Sequence, residues 1–111
     1  MAMAASEWID RMVEVIARRF HPLQIILSGS HARGDHAPDS DVDFLVVLPS
    51  LPDKRRTAIE IRRCLDDFPV SKDIVVTTPE EIERRGHLVG TVLRPALREG
   101  RVLYERSRSD R

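Results

Sequence analysis

The run "VDFLVVL", residues 42–48, limits what this chain can fold into more than any other stretch does. After its first two residues it does not alternate polar with apolar. A strand built from it is apolar on both faces and needs a layer of structure on each side. A second run, "LQIILS" at 23–28, is short and dominated by Ile and Leu, and reads as a neighbouring buried strand. Helical patterns surround the pair. Ser6 can cap a helix in which Ile9, Met12, Val13, Ile16 and Phe20 recur every three or four residues, and "HP" at 21–22 ends it. Residues 54–68 carry Ala58, Ile61, Cys64 or Leu65, and Phe68 at helical spacing, with Arg, Lys and Glu on the opposite face. "VSKDIVVTT", 70–78, reads as a third strand, after which Thr78, Pro79 and Glu81 supply an N-cap, a first-position proline and a capping-box acid. Gly86, Gly90 and Pro95 make the following helical stretch uneven, and Gly100 ends it. "RVLYE" at 101–105 reads as a short edge strand and 106–111 as a tail.

This order of elements predicts an α/β fold, a small mixed β-sheet flanked by helices. The helix-containing link between strands two and three suits a parallel crossover, and strands one and two can run antiparallel across their shorter link. The end of strand one and the starts of strands two and three then share one edge of the sheet. With 111 residues the chain is expected to form a single domain with a core from about 6 to 105, and it has no room for a separate substrate-recognition domain.

Charge and composition narrow the function. A formal charge of +0 supplies no global field for nucleic acid or membrane, and aromatic residues, at 5%, are too few for base stacking. Direct nucleic-acid binding is therefore not expected. No apolar run approaches a membrane span, the N-terminus lacks a basic flank and apolar segment, and the lone Cys64 has no partner for an internal disulfide. A cytoplasmic location is expected. His21, His36 and His87 show no metal-ligand spacing with one another or with Cys64, which argues against zinc.

Chemistry concentrates in "GSHARGDHAPDSDVDF", residues 29–44. Gly29, directly after a strand, lets the backbone turn sharply and approach a ligand, while the Ser30 hydroxyl and the amides that follow can donate to phosphate oxygens. Asp41 and Asp43 are two residues apart in a strand and so share a face, about 6.6 Å apart along it. Two carboxylates so placed can share one cation or serve a pair of divalent ions about 3.5–4 Å apart. Asp73, near the start of strand three, would be the third carboxylate around that point. Arg33 can contact phosphate or pair with Asp35, Asp39 or a site carboxylate. Asp35 and Asp39 read as loop formers, and His31 as an orienting or solvent-facing residue. Trp8 and Tyr104 read as packing residues.

Gly29-Ser30, ten residues, then Asp41-x-Asp43 resembles the signature of the DNA polymerase β-like nucleotidyltransferase superfamily, and "GSHARGDHAPDSDVDFLVV" in so short a chain resembles its minimal nucleotidyltransferases. The resemblance spans about residues 24–105, including "ALREGRVLYE", and is densest over 28–48. It implies the polymerase β-like fold and transfer of AMP from ATP to an acceptor hydroxyl, with magnesium, by a two-ion arrangement. Asp41, Asp43 and Asp73 would be catalytic and metal-binding, and Gly29 and Ser30, with Arg33, would hold the triphosphate. Many minimal members are encoded beside a HEPN-domain protein. The resemblance therefore implies an antitoxin that modifies a tyrosine of a HEPN ribonuclease toxin. Two alternatives remain open: a non-catalytic antitoxin that neutralises its partner by binding alone, and a small-molecule nucleotidyltransferase of the antibiotic-modifying type. The second needs an acceptor-holding surface from another subunit. A homo- or hetero-oligomer would supply it.

Overall fold

A computed structural model describes residues 5–29, 31, 34, 41–85 and 100–106. Four strands, β1 (Gln24–Ser28), β2 (Val42–Val47), β3 (Lys72–Thr77) and β4 (Arg101–Glu105), form one sheet in the order β3-β2-β1-β4. β1 runs antiparallel to β2 and β4, and β2 parallel to β3. The mixed sheet is the one expected from the link lengths. The described helices are α1 (Ala5–Phe20), α2 (Lys54–Cys64) and α3 (Pro79–Arg85).

Strand parity divides the core in two. Ile25 and Leu27 of β1, Val42, Phe44 and Val46 of β2, and Val76 of β3 join Ile9, Met12 and Ile16 of α1 and Ile61 of α2 in the larger cluster. Ile26, Leu45 and Val47 face the other way, against Leu23, Val75 and Ile82 of α3. Both faces of "VDFLVVL" are thus covered, as its unbroken apolarity requires. Trp8 of α1 meets Phe68 edge-on with ring centroids 5.8 Å apart, which ties α1 to the turn after α2.

The helix ends follow local chemistry. His21 takes a left-handed φ of 48° and returns its N–H to Ala17 O at 3.2 Å, which closes α1 ahead of Pro22. α1 starts at Ala5, so Ser6 lies inside its first turn instead of capping it. Asp53 caps α2, its carboxylate accepting from the Arg56 N–H at 3.0 Å. α2 stops at Cys64, four residues short of the expected end, and Phe68 packs from a turn. The cause is Pro69, which disfavours helical backbone at Phe68, together with the turn-forming pair Asp66 and Asp67. β3 is likewise shorter than 70–78. At α3, the Glu81 N–H donates to Thr78 Oγ1 at 3.2 Å, as the capping pattern predicts, while the Glu81 carboxylate accepts from Thr77 Oγ1 at 2.7 Å and from Lys54. Arg106, expected to begin the tail, is anchored: its N–H donates to Leu23 O at 2.8 Å and its guanidinium to His21 O. Gly86, Gly90 and Pro95 lie outside the described residues, as do residues 107–111.

Candidate functional site

The strand register assembles the site. Ser28 is the partner of Asp43 across the antiparallel β1–β2 pair, and Asp43 is the partner of Asp73 across the parallel β2–β3 pair. Residues directly opposite in a sheet point to the same face, so Ser28, Asp43 and Asp73 form one polar row across three strands. The next row inward on that face is Ile26, Leu45 and Val75. The polar row therefore sits at the rim of the smaller apolar cluster, and a cleft of about 250 Å³ opens there, lined by Ser28, Asp43, Leu45, Asp73 and Val75 among others.

Gly29 stands directly above this row. Its φ of 72° is left-handed, and a Cβ built on it would lie 3.3 Å from Asp43 Cγ and overlap Asp43 Oδ2. A side chain here would collide with that carboxylate oxygen, and glycine also accepts the left-handed turn of the chain out of β1. The Ser28 hydroxyl lies 3.4 Å from the Asp43 carbonyl oxygen, to which it donates.

Asp41 precedes β2 and is exposed. It lines a second groove, of about 360 Å³, with Arg62, Asp66, Ser71, Lys72 and Asp73. Asp73 borders both openings. Lys72 is occupied, its ammonium donating to Phe68 O at 3.1 Å and Val70 O at 2.8 Å. The structure thus brings Asp43 to Asp73 and Asp41 to Asp73 along adjoining surfaces. Ser30 and Arg33, together with Asp35 and Asp39, lie outside the described residues. His31 is buried, at 8% exposure, which removes the solvent-facing reading of this residue.

Among the described residues, no three His, Cys, Asp or Glu side chains form a group that could hold a metal by themselves. Magnesium does not need such a group, because it is commonly held by one or two carboxylates and completes its shell with phosphate oxygens and water. Two observations fit a divalent cation here. Two carboxylates are register partners in the sheet, an arrangement that like charge opposes unless a cation offsets it. The missing side chain of Gly29 is what lets the carboxylate of one of them, Asp43, lie against the end of β1.

Sequence reasoning missed Ser28 and Arg62. Ser28 becomes visible only through the β1–β2 register, which spacing along the chain does not fix. Arg62 appears in the pattern only as one cation of a polar helix face.

Residues 9–104 match the protein family described as a nucleotidyltransferase domain. A comparison with curated proteins found no match. Among solved structures, the chain is similar to a "putative nucleotidyltransferase" from Sulfolobus solfataricus, with 21% identity, a TM-score of 0.64, and coverage of 90% of this chain and 79% of that one. It is also similar to a crystal structure of a toxin-antitoxin with AMP-PNP, with 22% identity, a TM-score of 0.57, and coverage of 91% of this chain and 77% of that one. At such identities the likeness carries the fold.

Proposed function

The chain belongs to the nucleotidyltransferase domain family, and on that premise we propose that it transfers AMP from ATP to a protein hydroxyl, with magnesium, as the antitoxin of a toxin–antitoxin pair. The observation that carries this reading is the row Ser28–Asp43–Asp73 beneath Gly29.

Asp43 and Asp73, with Asp41 from the adjoining groove, would hold the magnesium ions. Bound there, magnesium would offset negative charge on the transferring phosphate and the leaving pyrophosphate. Gly29, on the β1 side of Asp43, would hold the triphosphate together with Ser30 and Arg33. Asp73, on the β3 side, takes the proton from the acceptor hydroxyl as its oxygen bonds to the α-phosphorus and the bond to pyrophosphate breaks. An attacking oxygen and a leaving group on opposite sides of phosphorus are what in-line displacement requires. In this reading the Gly29 and Asp73 flanks of the row would serve as those two sides.

The similarity to a toxin-antitoxin structure with AMP-PNP supports the antitoxin role at the level of fold. The acceptor in this reading is a tyrosine of a HEPN ribonuclease. The test is to purify the protein with the product of the neighbouring reading frame and supply ATP and magnesium. The partner should gain the mass of AMP, and the Asp41→Ala/Asp43→Ala double variant should leave it unmodified while still folding. Modification that persists in the double variant would remove these residues from the reaction. Neutralisation that persists without modification would assign the antitoxin effect to complex formation alone.

A further inference from the structure

The outer face of α2 concentrates positive charge in a chain whose formal charge is +0. Lys54, Arg55, Arg56, Arg62 and Arg63 lie on this helix against Glu60 as its acidic residue. Some of that charge is already used: Lys54 bonds Glu81 at 2.8 Å, and Arg56 bonds Glu60 at 3.1 Å. Arg55, Arg62 and Arg63 have no side-chain hydrogen bond or ion pair among the described residues. At 100° per residue they fall in one stripe with Ile59, and the buried Ile61 points away from it. Ile59 is 42% exposed in the middle of these cations, and a groove of about 360 Å³ runs beside it, lined by Arg55, Arg56, Ile59 and Arg63 with Asp53 and Glu60, whose carboxylates are engaged by the Arg56 N–H and the Arg56 side chain.

The stripe leads to the candidate site. Arg62, at its C-terminal end, lines the groove shared with Asp41 and Asp73. That groove lies on the β3 side of Asp43, opposite Gly29, where the attacking hydroxyl must arrive if the triphosphate is held at Gly29.

We propose that the α2 stripe is the docking surface for the acceptor protein, and that it takes an acidic segment with an apolar anchor over Ile59 and delivers its hydroxyl past Arg62 to Asp73. The delivery step rests on the transfer reading above; the docking step does not. Unpaired guanidinium groups are matched by carboxylates through bidentate hydrogen bonds, and an exposed apolar residue ringed by polar ones is how a protein contact excludes water. Nucleic acid fits less well. Its phosphates would leave Ile59 unused, and no aromatic residue on α2 can stack a base.

The test uses the whole protein and two fluorescein-labelled dodecapeptides. Each has one tyrosine and one leucine, flanked by glutamates in the first and by lysines in the second. Anisotropy is measured with magnesium and a non-hydrolysable ATP analogue. The acidic peptide should bind more tightly. Arg55→Glu/Arg63→Glu, at two exposed positions, should weaken it about tenfold or more and leave analogue binding unchanged. Binding should also fall with added salt. Equal binding of the two peptides, no effect of the double variant in a protein with wild-type circular dichroism, or displacement of the peptide by a single-stranded RNA oligonucleotide would overturn the docking surface. With ATP supplied, binding through α2 without transfer of AMP would sink the transfer reading and leave the surface standing. Transfer that is insensitive to the double variant would do the reverse.

Discussion

Asp43 and Asp73 are register partners across the parallel β2–β3 pair, and the core on the far side of the sheet fixes that pairing. Val42, Phe44, Val46 and Val76 fill the larger cluster, so a slip of one residue would turn Phe44 out of the core and Asp43 into it. The geometry of the carboxylates is thus held by apolar packing, and changes in either should be separable by measurement.

Phe44 is 1% exposed and lies next to Asp43 in β2. Phe44→Ala should destabilise the fold by about 3–5 kcal/mol, through lost burial and the cavity left behind. Urea unfolding followed by circular dichroism measures this. A loss below about 1 kcal/mol would mean that the core does not hold the register as described.

Gly29→Ala should be costly twice over. A left-handed alanine costs about 1–2 kcal/mol, and its methyl would displace the Asp43 carboxylate. Stability should fall by at least that amount, and magnesium-dependent ATP binding should fall further than the stability loss explains. Calorimetric titration below the unfolding temperature separates the two. Wild-type binding in a folded Gly29→Ala variant would remove Gly29 from the site.

Thr77 is fully buried and donates to Glu81, which also accepts from Lys54. The three residues join the end of β3 to the starts of α2 and α3. Thr77→Val keeps the shape and removes the donor, and should cost about 1–2 kcal/mol in thermal or urea unfolding. The Lys54 bond to Glu81 remains in that variant, so a much larger loss would point to a role for the hydroxyl beyond this contact.

The sequence carried the elements more clearly than their ends. The continuous apolarity of "VDFLVVL" required cover on both faces, and the link lengths gave one antiparallel and one parallel pairing, as observed. The end of α2 falls short of the spacing because Phe68 keeps helical periodicity while Pro69 disfavours helical backbone at that residue, and the proline outweighs the spacing. In the site, Asp43 and Asp73 could be placed at one edge because strand starts can be read from patterns. Ser28 could not be seen opposite Asp43, since register depends on packing between strands and not on spacing along one. His31 reads in the sequence as an orienting or solvent-facing residue and is buried, because spacing along the chain does not show what packs over a strand end.

The most direct test of the central claim supplies ATP labelled at either the α- or the γ-phosphate, with magnesium and the partner protein. Wild-type protein should place the α-label, and none of the γ-label, on the partner, and Asp73→Asn should slow this by about a hundred- to ten-thousandfold while leaving the unfolding midpoint within a few degrees. Transfer of the γ-label, or an undiminished rate in Asp73→Asn, would contradict nucleotidyl transfer at the Ser28–Asp43–Asp73 row.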